Sequence, residues 1–347
     1  MRKIFIDDNI KVKAEDYKTA LLKHKQELLD RIEVLRDQFD GKHKVEDDAG
    51  KNIDLALVSK YHKYLAQLYK DFDNETLFLL PPSQFQSYHD RQYNKGLNDK
   101  DLKKKIKIDG DKPIPFHKRV TDAMGYGDIV RGEVFPSVIR NLGIKACVYC
   151  NANFVVTDKN GNGYFELDHW KPESKYPFLS TSFYNLQPCC PHCNKHKSSN
   201  TKLEFFQLYE EDPNEPLDLF EFSIPRGSLV RYFAAQDTSH IKVEFKAKET
   251  KSKKLRDDAN ERFGIEGIYN EHIDVVEEMM WRAKFYDNAI LKSMAWFYKK
   301  RWKFIDIERF KLGTYAAMDE VHKRPLTKFM QDIGKQMVNI FSCNYCT

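Results

Sequence analysis

The sequence predicts an α+β protein, with a small β-rich module at the centre of the chain and mainly helical N- and C-terminal regions around it. Three observations predict this. Apolar residues recur at helical spacing near both ends. Between Cys147 and Lys197 the chain changes to short strand-like runs joined by strong turn chemistry. The same stretch holds five of the seven cysteines. The pattern divides the chain into three regions, residues 1–112, 113–200 and 201–347.

Residues 13–38 read as one amphipathic helix, with Leu21, Leu22, Leu28, Leu29, Ile32 and Leu35 on its apolar face. A polar loop leads to a second helix over 53–72, striped by Leu55, Leu57, Val58, Tyr61, Leu65 and Leu68. The two make a helical hairpin, suited to scaffolding or to docking a partner. Pro81-Pro82 ends this pattern. The lysine-rich stretch 91–112 reads as a flexible connection, and 120–142 as a further helix. Downstream of Ser199, FEFSIPRGSLVRYF and HIKVEFKAK read as short strands, and 251–340 as helical.

Composition narrows the class. An apolar content of 41% supports a packed core, and Lys+Arg 57 against Asp+Glu 52 leaves a net charge of only +5. That charge permits a nucleic-acid partner without requiring one, because a local patch matters more than the total. No apolar run is long enough to span a membrane, and the charged N-terminus is unlike a secretory signal, so a cytoplasmic location is expected. Clustered cysteines in a reducing compartment point to metal ligation rather than to disulfides.

Cys147-x-x-Cys150 and Cys190-x-x-Cys193 lie about forty residues apart. Two such knuckles supply four thiolates in a closed tetrahedral set, which suits a structural zinc ion. Cys189 is set aside, since its spacing to Cys193 is unlike that of the first pair. Between the knuckles, NFVVT and YFELDHW flank the turn sequence DKNGNG and read as a β-hairpin. The stretch 182–198 reads as a helix. Cys343 and Cys346 form a third pair that cannot close a zinc site alone and receives no function.

The stretches CVYC, ELDHW, YNL and CPHCNKHK, in this order, resemble the HNH or ββα-metal nuclease family in its zinc-knuckle branch. The resemblance covers about residues 147–200. It implies a metal-dependent endonuclease that leaves 5′-phosphate and 3′-hydroxyl ends. His169 would be the general base, Asn185 the residue that shapes the loop presenting it, and Asp168 and Asn194 the ligands of a catalytic Mg²⁺ or Mn²⁺. His196 is the alternative to Asn194. The residue types suit the reaction. An imidazole takes a proton from water near neutral pH, and hard oxygen donors suit these cations. Asp168 and His169 are adjacent and would face opposite sides of an ideal strand, so the strand must end or twist there. Lys171, Lys195 and Lys197, with Lys175, Lys118 and Arg119, are the expected phosphate contacts. DNA is the favoured substrate and RNA the alternative. A non-catalytic zinc module that binds nucleic acid or protein is the competing class. The downstream order EEDPNEPLDLFEF, IPRGSLVRYF, RFGIEGIYNEHIDVVEEM also resembles the PtuB-like nuclease subunits of Septu-type antiphage systems. That resemblance implies a prokaryotic defence role and an ATPase partner of PtuA type.

Overall fold

The structure is a computed structural model, and it describes residues 1–94, 96–197, 204–285, 293, 296 and 304–342. Cys343 and Cys346 lie outside these residues. One buried apolar cluster extends from Met1 to Met337 and takes in residues of the central module together with residues of both flanks. Among the described residues no helix is long and apolar enough to cross a membrane.

The expected helix 13–38 is two helices, Asp8–Leu22 and Lys25–Asp37. The first packs on the helix Phe135–Leu142, the second on Leu55–Asp73 and Phe116–Ala123. One continuous helix could not turn its leucines toward both sets of neighbours. The break is tied down where Lys18 and Lys25 pair with Glu75, just beyond the third helix. The hairpin of Lys25–Asp37 with Leu55–Asp73 is as expected.

The stretch 91–112 is not a flexible connection. It contains the helix Asp99–Lys103, closed by a reciprocal cap between Asn98 and Asp101, and the strand Lys105–Ile108. That strand pairs antiparallel with Val45–Asp47 on one side and Ile114–Pro115 on the other. Ile106 and Ile108 are buried while the lysines between and beside them are not, so the period-2 pattern is present but diluted by charge. The expected helix 120–142 is also interrupted. Phe116–Ala123 ends at Gly125 (φ 68°), and a π-helical stretch, Tyr126–Val134, leads into Phe135–Leu142. A Cβ at Gly125 would sit 2.6 Å from Leu28 Cδ2, so both the left-handed backbone and the close approach require glycine there.

In the central module, Val156–Thr157 pairs with Gly163–Tyr164 as the expected hairpin, but its second strand stops at Phe165. The next four residues, Glu166–His169, pair instead with Leu186–Cys189 in antiparallel register. The helix expected over 182–198 is therefore only Pro191–His196, since Phe183–Asn185 is a 3₁₀ turn and Leu186–Cys189 a strand. Downstream, Phe220–Ser223 and Glu244–Ala247 are strands and pair with each other, whereas RGSLVRYF between them belongs to the helix Arg226–Ala235. The C-terminal helix Thr327–Ser342 packs on Phe220–Ser223 and on Ile273–Phe285. The N-terminal strand Ile4–Phe5 pairs in parallel with Tyr209–Glu210.

Candidate active site and metal centre

The first knuckle closes through the Asn151 N–H, which donates to the Cys147 carbonyl at 2.8 Å. Asn151 holds a left-handed conformation (φ 54°), a backbone state that asparagine tolerates better than most residues. Its buried side chain anchors the turn. Nδ2 donates to the Val321 carbonyl at 3.0 Å, and Oδ1 accepts the Lys328 N–H at 3.0 Å. Lys328 is itself buried, with its ammonium between Asp218 (3.0 Å) and Asp332 (2.8 Å). The second knuckle runs from Cys190 into the helix Pro191–His196.

The sulfurs of Cys147, Cys150, Cys190 and Cys193 all lie within 4.8 Å of one another, and all four residues are buried. A tetrahedral zinc site with Zn–S distances of about 2.3 Å has an edge of about 3.8 Å. The Cys150 and Cys190 sulfurs are 4.0 Å apart, far beyond a disulfide and close to that edge. Peripheral donors also point at the sulfurs, with the Ala152 N–H 3.4 Å from Cys150 Sγ and Asn153 Nδ2 3.5 Å from Cys190 Sγ. Four buried thiolates this close together would repel one another, so a thiolate cluster here requires a compensating cation. Geometry, donor type and electrostatics all fit zinc. Cys189 is buried outside the set, and burial raises its thiol pKa.

Beside this site, the strand Glu166–His169 carries the acidic and imidazole groups. Leu167 and His169 are buried, while Glu166 and Asp168 on the opposite face are half-buried. The strand ends at His169, and Asp168, His169, Asn194 and Lys197 all line one cavity of about 490 Å³. His169 Nε2 lies 3.0 Å from the Ser180 carbonyl. A carbonyl can only accept, so this contact assigns the proton to Nε2 and leaves the Nδ1 lone pair free. Nδ1 is 4.0 Å from Glu173 Oε2. The imidazole is backed by the Tyr126 ring, with centroids 4.4 Å apart. Burial lowers the His169 pKa and Glu173 works in the other direction.

Asn185 is fully buried and clamps the chain just after His169. Its Oδ1 accepts the Lys171 N–H at 2.7 Å, its Nδ2 donates to the carbonyls of Lys171 (3.2 Å) and Leu179 (3.1 Å), and its own carbonyl accepts the Trp170 N–H at 2.8 Å.

Asp168 Oδ2 accepts from Lys197 Nζ and from the Tyr149 hydroxyl, and the same ammonium reaches the His169 carbonyl. Asn194 Nδ2 is 3.5 Å from Glu166 Oε2, which also pairs with Arg131 at 2.8 Å. The carboxylate of Asp168 and the amide oxygen of Asn194 are hard donors on one cavity, a set that fits Mg²⁺ or Mn²⁺. His196 is exposed, its Nδ1 lies 2.9 Å from the His192 carbonyl, and it does not line the cavity.

The lysines separate. Lys197 is in the cleft, as is Lys118. Lys171 and Lys175 line a neighbouring cavity. Lys195 is exposed and lines neither. Arg119 also lies outside the cleft, its guanidinium being taken by Asp111 at 2.7 Å and the Ile106 carbonyl at 2.8 Å. Sequence reasoning missed Glu166, Glu173, Tyr126, Arg131, His117 and Lys103 as cleft residues. Strand alternation could have found Glu166, two residues before Asp168 on the same face. The residues from upstream helices carry no local signal.

Residues 147–200 match the HNH endonuclease family. The chain is also 26% identical over 97 residues to the Septu protein PtuB of Bacillus thuringiensis, a match that covers 27% of this chain and 36% of that protein's length. No solved structure gives a significant match.

Proposed function

We propose that the chain is a metal-dependent HNH endonuclease that hydrolyses phosphodiester bonds of DNA with His169 as general base, acting as the effector of a prokaryotic antiphage defence system. The observation that carries the reading is the orientation of His169. Its Nε2–H is committed to the Ser180 carbonyl, and its free Nδ1 is turned toward Glu173 in the cavity that Asp168 and Asn194 also line. An imidazole kept neutral by burial and aimed in this way takes a proton from an attacking water, and Glu173 stabilises the imidazolium that results. A bound Mg²⁺ or Mn²⁺, held by Asp168 and Asn194, would supply Lewis-acid stabilisation at the phosphate and the leaving 3′ oxygen. Asn185 fixes the loop, so the ring does not have to be oriented anew in each turnover. Lys197, Arg131, Lys118 and Lys103 give the cavity a cationic lining for the phosphate backbone. The zinc-type sulfur site holds the strand Leu186–Cys189 and the helix Pro191–His196 in register beneath it.

The PtuB match supports the defence role and an ATPase partner of PtuA type, with the helical hairpin Lys25–Asp37 and Leu55–Asp73 as the docking surface. Recovery of the protein from its host without an ATPase would remove the partner from the reading.

The deciding assay is divalent-metal-dependent cleavage of duplex DNA, single-stranded DNA and RNA side by side. His169→Ala is expected to lower the rate by about 10²–10⁴ while zinc content stays unchanged. Equal cleavage by this variant would overturn the mechanism, and cleavage of RNA alone would overturn the substrate.

A further inference from the structure

A second cavity of about 420 Å³ lies on the other side of the loop that follows His169. Pro172 lines both cavities. The wall between them is the stretch that Asn185 clamps through both backbone groups of Lys171. The second cavity is lined by Trp170, Tyr176, Leu219 and Leu255 together with Lys171 and Lys175.

Its charges are unusual. Lys171 is half-buried, with its ammonium 4.6 Å from the Trp170 ring centroid and 5.6 Å from that of Tyr176. Lys175 stands 5.7 Å from the same Tyr176 ring. Burial and the neighbouring Lys175 both lower the Lys171 pKa. Among the described residues, no ion pair or side-chain hydrogen bond engages either ammonium. The other charged groups on this cavity are already taken, since Lys3 pairs with Glu210 at 2.6 Å and Glu204 with Lys254 at 2.9 Å. Two adjacent cations, one partly withdrawn from water and both met only by aromatic rings rather than by a carboxylate, favour an anion that completes the arrangement. The apolar wall beside them fits a flat heterocycle or a sugar.

We propose that this cavity receives one nucleotide of the strand that the cleft cuts, its phosphate on Lys171 and Lys175 and its base against Trp170, Leu219 and Leu255. The inference rests on the nuclease reading above and deepens it. The rigid loop between the cavities then sets how far the gripped nucleotide lies from the scissile bond.

The test measures binding apart from cleavage. Full-length His169→Ala protein, zinc-loaded, is titrated against a fluorescently labelled DNA oligonucleotide over a range of salt concentrations, with and without Lys175→Glu. The double variant is expected to bind at least about fivefold more weakly at 0.15 M salt, with the slope of log K against log salt reduced by about one. Lys159→Glu, a charge change at an exposed position on the hairpin tip, is expected to have less than half that effect. In the cleaving protein, Lys175→Glu should raise KM and leave kcat within about twofold. Unchanged affinity and slope, or an effect equal to that of Lys159→Glu, overturns the cavity assignment while leaving the nuclease reading intact. Failure of the unmutated protein to cut any nucleic acid removes the nuclease reading instead. A mononucleotide that binds with Lys175-dependent affinity but does not compete with the oligonucleotide would show a site for free nucleotide and overturn the strand assignment.

Discussion

The four-sulfur site and the cleft beside it share one short segment, yet they are built on opposite terms. Every cysteine of the sulfur site is buried, and its first turn is locked by Asn151, which reaches Val321 and Lys328 far along the chain. The cleft is half-open, and its charged groups hold one another, Lys197 on Asp168 and Arg131 on Glu166. The difference matches the proposed division of labour. A site that stabilises is sealed, with partners that have no competitor. Under the nuclease reading, the pairs in the cleft are the ones that a phosphate or a cation would displace.

The largest effect is expected where the sealed site is opened. Cys150→Ser removes one of four ligands, and structural zinc contributes about 10–16 kcal/mol of apparent binding free energy to such modules. The variant should lose zinc and the cooperative unfolding of the module, read by metal analysis and near-ultraviolet circular dichroism. A zinc-loaded, fully active variant would break the comparison.

Lys328→Ala comes next. It leaves the almost fully buried Asp332 without its cation, while Asp218 keeps Lys248, and should destabilise the protein by about 3 kcal/mol in denaturant titrations. A loss below about 1 kcal/mol would mean that the buried Lys328–Asp332 pair contributes little. Asn185→Ala sits between the two regimes. It leaves both backbone groups of Lys171 without partners, for about 1–3 kcal/mol of stability, and should lower kcat more than it raises KM. An effect on stability alone would deny it a part in presenting His169.

The smallest effect sharpens the contrast through pH. Burial pushes His322 down to about 3, and its carbonyl accepts the N–H groups of Lys145 and Ala146, which lead into the first knuckle. Its folded pKa lies below its unfolded value, so the stability it contributes is complete above about pH 6.5 and is lost as pH falls below that, by up to about 1.4 kcal/mol per pH unit. Thermal melts at pH 7.5 and 5.5 should show a larger drop for the parent protein than for His322→Gln. Equal drops would contradict this.

What could be read in the sequence was whatever chemistry writes locally. The spacing of Cys147, Cys150, Cys190 and Cys193 identifies a cluster that the fold brings within 4.8 Å, because ligands on tight turns need fixed intervals. Asp168, His169, Asn194 and Lys197 meet in one cavity for the same reason. Pairing partners were not legible. Alternation in YFELDHW marks a strand but does not say that it divides at Phe165, with one half pairing upstream and the other with Leu186–Cys189. The ordered stretch at 99–108 escaped because lysines flank Ile106 and Ile108 and imitate a solvated linker. Tyr126, Arg131 and His117 reach the cleft only through tertiary packing, which no spacing rule encodes.

The hydrogen bond from the Lys328 N–H to Asn151 Oδ1 spans 177 residues. At translation rates of about 5–20 residues per second, the first knuckle emerges roughly 10–35 s before its anchor is synthesised. Cys190 and Cys193 follow Cys150 by about forty residues, so the sulfur set is complete within roughly 2–9 s, and for the rest of the interval the first knuckle lacks the anchor of its Asn151. Zinc withheld during synthesis is therefore expected to do more harm than a chelator added to the finished fold.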